Sequence, residues 1–315
     1  MLELIFLPIL FGAQSAPLSP QPPITVPGGP GKFDFMNVDP ADRLVFAAHP
    51  GKSSFTVVNL TDGTAKDVDA TTEVNGLDAD SAGKKLYAAG PGKTLVQFDM
   101  NTWTKSASLA LDGPGDSVIF DSKRGTVYVD NDDGTNLWFV DPASMKISAT
   151  AAIKEAPEVM VLDEGRGKIF QNIKSANAVQ VIDLASHNVT GEYGLGDLTS
   201  PHGLAEDPDL GELFSVGKNG KLVILDADSG KILRTVDVVK NSDQIAYDRD
   251  LKRLYIPGAN ELDVVQISKD DATLLGKVGN PKGCHSVVVD PLTHDVWVAY
   301  ADDKDSFVMK FTTSK

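Results

Sequence analysis

The chain has one cysteine, Cys284, in 315 residues. It therefore has no partner for an intramolecular disulfide and no thiolate set for a Cys-type structural zinc site. Basic residues are in deficit, 29 Lys and Arg against 44 Asp and Glu, giving a formal charge of −15. No Lys/Arg-rich run occurs, and without a basic patch nucleic acid is not an expected partner. Aromatic residues make up only 7% and histidines number five. Beyond the N-terminus, no stretch reaches the roughly 20 apolar residues that a spanning helix needs. Amphipathic helical stretches between apolar runs are also missing, which argues against a parallel α/β fold.

Glycine (28) and proline (18) are plentiful, and 42% of the residues are hydrophobic. Short Val-, Ile- and Thr-containing runs lie between turn residues, the pattern of many short strands in an all-β protein. At the N-terminus, Ile5 to Ala13 is apolar and Ala13-Gln14-Ser15 is a small-x-small site suited to cleavage before Ala16. Residues 1–15 are read as a signal peptide and the protein as secreted or periplasmic. Residues 16–23 are Pro-rich and are read as a linker, with one folded domain over 24–315.

A repeat governs the rest. Seven units open at Asp34, Asn75, Asp116, Glu158, His202, Asp243 and His285, spaced by 41, 41, 42, 44, 41 and 42 residues. Each carries a polar turn begun by Asp and then an apolar-aromatic pair: Val45-Phe46, Leu86-Tyr87, Val127-Tyr128, Ile169-Phe170, Leu213-Phe214, Leu254-Tyr255 and Val296-Trp297. A 40- to 45-residue unit of four short strands is the size of a propeller blade. The expected fold is a seven-bladed β-propeller with four-stranded antiparallel blades. The last unit ends three strands in, at Phe307 to Phe311, so Ile24 to Val26 is expected to supply its outer strand and close the ring.

The segments Tyr87-Ala88-Ala89-Gly90, Tyr128-Val129-Asp130-Asn131, Tyr255-Ile256-Pro257-Gly258 and Trp297-Val298-Ala299-Tyr300 resemble the signature of the YncE-like, YVTN-repeat propeller family. That resemblance implies an exported propeller and specifies no activity.

In such a fold the seven unit-opening residues converge at the top mouth of the central channel. Four are carboxylates and two are imidazoles, so the ring is a candidate divalent-metal site: Asp34, Asp116, Glu158, His202, Asp243 and His285. Connections between second and third strands place His49, Asn131, Asn172, Lys218 and Tyr300 above the same mouth, where with Asn75 they are candidate ligand-binding residues. The first functional reading is a monomeric propeller that binds a small molecule, peptide or glycan there. The alternative is a metal-dependent lyase or hydrolase with His202 or His285 as base and Glu158 as a further catalytic candidate. The residue types His202, His285 and Glu158 or Asp243 are similar to those that virginiamycin B lyases, also seven-bladed, present with a divalent cation.

Overall fold

The computed structural model describes residues 16–258 and 260–313; the signal-peptide assignment lies outside them. Seven antiparallel sheets follow one another along the chain. Blade 1 is Met36–Asp39, Leu44–His49, Ser54–Asn59 and Ala65–Asp69, each strand paired with the next. Blades 2 to 6 repeat this order, opening at Gly76, Gly115, Pro157, Pro201 and Ala246. Blade 7 has Val287–Val289, Val296–Ala301 and Ser306–Thr313.

The apolar-aromatic pairs explain why blades stack. Neighbours on a strand point to opposite faces, and a pair that is apolar on both faces can be buried only if a blade lies on each side. Leu86 joins a core cluster with Phe46, Phe55 and Phe98, facing blade 1, while Tyr87 joins one with Val127, Val129 and Trp138, facing blade 3. All seven pairs are buried.

The acidic excess has a structural cause. The Asp that ends or directly follows each innermost strand, Asp39, Asp80, Asp121, Asp163, Asp207, Asp248 or Asp290, accepts a backbone N–H two or three residues on and so holds the hairpin turn.

Ring closure follows the expected plan. Ile24–Val26 pairs with the last strand, Ile24 opposite Val308 and Val26 opposite Ser306. Arg43 of blade 1 adds a bidentate bond to Asp290 of blade 7, at 2.8 and 2.6 Å. The 16–23 segment departs from its reading as a linker. Leu18–Pro20 is a second strand on the same partner, Leu18 opposite Thr313, and Leu18 is 1% exposed in a cluster with Phe311 and Val296. Proline suits this outer position because the missing donors face no partner strand.

Candidate functional site

The innermost strands leave one backbone edge facing the axis, and its polar groups need partners. Side chains from neighbouring blades supply them. Asn37 Nδ2 donates to the Leu77 carbonyl at 3.3 Å and to Asp78 Oδ1 at 2.7 Å, and Asp78 Oδ2 accepts from the Phe120 amide at 2.7 Å. Burial lifts Asp78 to about 6. Gly76 has no Cβ because one would run into the Asp116 carbonyl; this close approach brings Asn75 Nδ2 to 3.0 Å from Asp116 Oδ1.

Above this frame, six of the seven ring residues, Asp34, Asn75, Asp116, Glu158, His202 and Asp243, line one cavity of about 250 Å³, joined by Lys32 and Asp132. Its floor is Phe35 and Gln244, which also roof a second cavity of about 260 Å³ deeper in the channel, lined by polar and apolar groups alike. The seventh, His285, stands just outside, its Nδ1 2.8 Å from Asp243 Oδ2.

Charge is divided unevenly around the mouth. On the side of blades 4 to 6 the acids have cations: Lys174 Nζ is 2.6 Å from Glu158 Oε1, and Lys218 pairs with Asp243. Burial pushes Lys218 down to about 8. Lys174 is held up, the Glu158 carboxylate outweighing the burial that acts against its charge. Glu158 is raised all the same, because burial exceeds the lysine's pull. On the other side, Asp34, Asp116 and Asp132 form no ion pair among the described residues, and all three carboxyls are raised, chiefly by burial. Asp116 is raised furthest, with Asp130 and Asp34 adding repulsion. Behind it the fully buried Asp130 accepts from the Ser117 amide and from Gln171 Nε2, yet burial holds it at about 8.

His202 donates from Nδ1 to the Ser200 carbonyl at 2.9 Å, leaving Nε2 3.3 Å from Glu158 Oε1 and 3.8 Å from Asp243 Oδ1. Burial, with Lys218 behind it, lowers this imidazole to about 4. His285 is lowered to about 4 as well, again by burial. Both rings are therefore weak bases at neutral pH.

The metal reading has no ligand set to rest on here. Among the described residues no three His, Cys, Asp or Glu side chains come together as a ligand set. Ammonium groups of Lys174 and Lys218 lie against Glu158 and Asp243, where the cation was expected, and the ring carboxyls relieve their repulsion by rising in pKa.

Four of the expected rim residues lie away from this cavity. His49 is wholly buried, stacked on Phe33 at 4.2 Å with Nε2 2.7 Å from the Gly31 carbonyl. Asn172 is buried too, its Nδ2 donating to the carbonyls of His202 and Gly203. Asn131, turned so that its amide nitrogen donates, bonds the carbonyls of Pro114 and Asp132. Tyr300 lines a separate cavity over blade 7. Sequence reasoning missed Lys32, Asp132, Lys174 and Gln244. Lys174 and Asp132 follow the second strands of their blades, the same connections that yielded Lys218.

The axial mouth, the ring of polar openers and the seven stacked sheets are the features that relatives can be compared on. The proteins named uncharacterized protein YncE from Salmonella typhi and from Salmonella typhimurium strain LT2 are each 24% identical over 199 residues, 57% of this chain and 52% of theirs. The chain is a seven-bladed propeller similar in sequence to these YncE proteins. It spans about half the length of these curated relatives. No family model matches. Among solved structures, a chain of the mitotic checkpoint complex superposes with a TM-score of 0.78 at 14% identity, covering 98% of this chain and 96% of that one. A chain of Kuenenia stuttgartiensis hydrazine synthase gives 0.76 at 13% identity, covering 90% and 95%. At such identities the likeness is one of fold. No helix among the described residues is long and apolar enough to cross a membrane.

Proposed function

We propose that this YncE-like propeller is a binding protein whose top-face mouth takes a ligand through a cationic group, an amine or a guanidinium. The observation that carries the reading is Asp116. It is only 8% exposed, lines the mouth, and bonds Asn75 through Oδ1, while its Oδ2 has no hydrogen-bond partner among the described residues. A desolvated carboxylate flanked by Asp34 and Asp132 gains strongly from an opposite charge placed against it. Asn75 and the paired Lys174 and Lys218 then bound the pocket and fix which side the cation takes. With both histidines near 4 and no converging ligand set, the lyase or hydrolase reading finds no support in this geometry.

Calorimetric titration of argininamide at pH 8 tests the proposal. Measurable binding weakened about tenfold or more by Asp116→Asn supports it. Absence of binding, or equal binding by the variant, refutes it. Export remains part of the proposal: mass spectrometry of secreted or periplasmic protein is expected to show a chain starting at Ala16, and an intact Met1 would rule out cleavage.

A further inference from the structure

The mouth is the first of three adjoining cavities. Asp243 lines both the mouth and a neighbouring cavity of about 340 Å³ that contains Asn241 and Asn260. Lys282 and Gly283 line that cavity and also an outer one of about 540 Å³, whose wall is Tyr300. The three cavities lie side by side, each sharing lining residues with the next, from the channel axis across the top of blades 6 and 7; we refer to the row as a trough. Its two ends differ in chemistry. At the axis stand the unpaired carboxylates, including the nine-tenths-buried Asp116 with its unpartnered oxygen. At the rim the Tyr300 ring is held flat on Phe307, centroids 5.1 Å apart and planes 23° apart, a preset aromatic shelf. Between them the side-chain amides of Asn241 and Asn260 make no hydrogen bond among the described residues, and they offer both donor and acceptor to whatever lies in the trough.

Building on the mouth's reading as a cation site, we propose that the trough binds an extended peptide. An Arg or Lys of that peptide enters the mouth, its backbone passes Asn241 and Asn260, and an aromatic residue stacks on Tyr300. A neutral glycan could stack on the shelf but would bring no cation to the acids of the mouth. A nucleic-acid strand would set phosphates against them. A peptide joins a cation, paired amide groups and an aromatic ring on one flexible backbone, matching the trough in that order.

The test is calorimetry on the full chain with argininamide and with short amidated peptides that begin with Arg, are otherwise Gly and Ser, and carry one Phe moved from the second to the sixth position. At least one peptide is expected to bind about tenfold tighter than argininamide, the scale of one well-stacked aromatic contact. In Tyr300→Leu, which keeps an apolar side chain on Phe307, the ratio of peptide to argininamide affinity should fall close to one. Saturation-transfer NMR on the unaltered protein provides a readout independent of the variant's folding: the Phe ring of that peptide should receive more saturation than its Gly and Ser protons. Argininamide binding with no surplus for any peptide, or a surplus that survives Tyr300→Leu, overturns the trough and leaves the mouth standing. Failure of argininamide to bind overturns the mouth reading and this one with it. A neutral oligosaccharide that binds as tightly as the best peptide also overturns the peptide assignment.

Discussion

The side-chain amide of Gln244 bonds both backbone polar groups of Met36, accepting from its N–H at 3.0 Å and donating to its carbonyl at 2.7 Å. Gln244 belongs to the sixth unit and Met36 to the first, so the contact reaches past the innermost strand of blade 7. It imitates one rung of a strand ladder at the place where that strand is only three residues long. It also completes the floor that separates the mouth from the second cavity below.

Replacing this residue, Gln244→Met, keeps the length and removes both bonds. The Met36 N–H and carbonyl then lack partners in a buried strand, at a cost of about 1–3 kcal/mol for each group left unsatisfied. Urea unfolding is expected to show that loss, with the slope of the transition retained. Stability within about 0.5 kcal/mol of the parent would show that water replaces the amide without penalty.

Leu18 is expected to matter although it sits in a Pro-rich segment. Its side chain is buried with Phe311, Val296 and Val298, so Leu18→Ala should cost about 2–5 kcal/mol, the range for a core leucine. Removing residues 16–20 should cost at least as much, and removing 16–28 more, because Ile24–Val26 and the buried Val26 go too. Thermal melts of the three variants check the order. A silent 16–20 deletion would mean that the Leu18–Pro20 pairing adds nothing to closure.

Glu206 sets a pH dependence. Burial, then the adjacent Asp163, raises it to about 8, and its Oε1 has no hydrogen-bond partner among the described residues. A carboxyl raised in the fold is bound to its proton there and ionised in the unfolded chain. Its stabilising proton uptake is therefore complete below the ordinary Glu value of about 4.3 and is lost as pH climbs through about 8. The limiting slope is about 1.4 kcal/mol per pH unit between those values. Glu206→Gln should flatten part of the decline in stability from pH 5 to pH 8, as measured by urea midpoints. Parallel pH profiles for variant and parent would exclude Glu206 as a source of the decline.

Much of the fold was legible because propeller blades repeat both a period and a burial rule. The Val45-Phe46 type of pair needs two covered faces, and seven phased copies need a ring. The strand Ile24–Val26 could be placed because the last unit was one strand short. Leu18–Pro20 was not legible, since three residues inside a Pro-rich segment resemble a linker unless the partner strand Ser306–Thr313 is known to run two residues past Phe311. At the site, convergence of the unit-opening residues followed from topology alone. Side-chain direction did not. His49 and Asn172 lie at or near the ends of second strands, where one step of chain turns a side chain from the mouth to the interior, and spacing cannot choose between them. The same limit hid Lys174, whose ammonium group takes the place at Glu158 where a metal ion was expected.

The pairing of Leu18 with Thr313 has a mechanical consequence. These residues face each other across an antiparallel ladder that continues inward through Pro20 opposite Phe311, Ile24 opposite Val308 and Val26 opposite Ser306. Tension applied between Leu18 and Thr313 falls on the first rung alone and passes to the next only when that rung breaks. Such loading unzips a ladder, whereas pulling along the strands in opposite directions would strain all rungs together. A pull between the two ends of the described chain is thus met one rung at a time, first at the outer strands of blade 7.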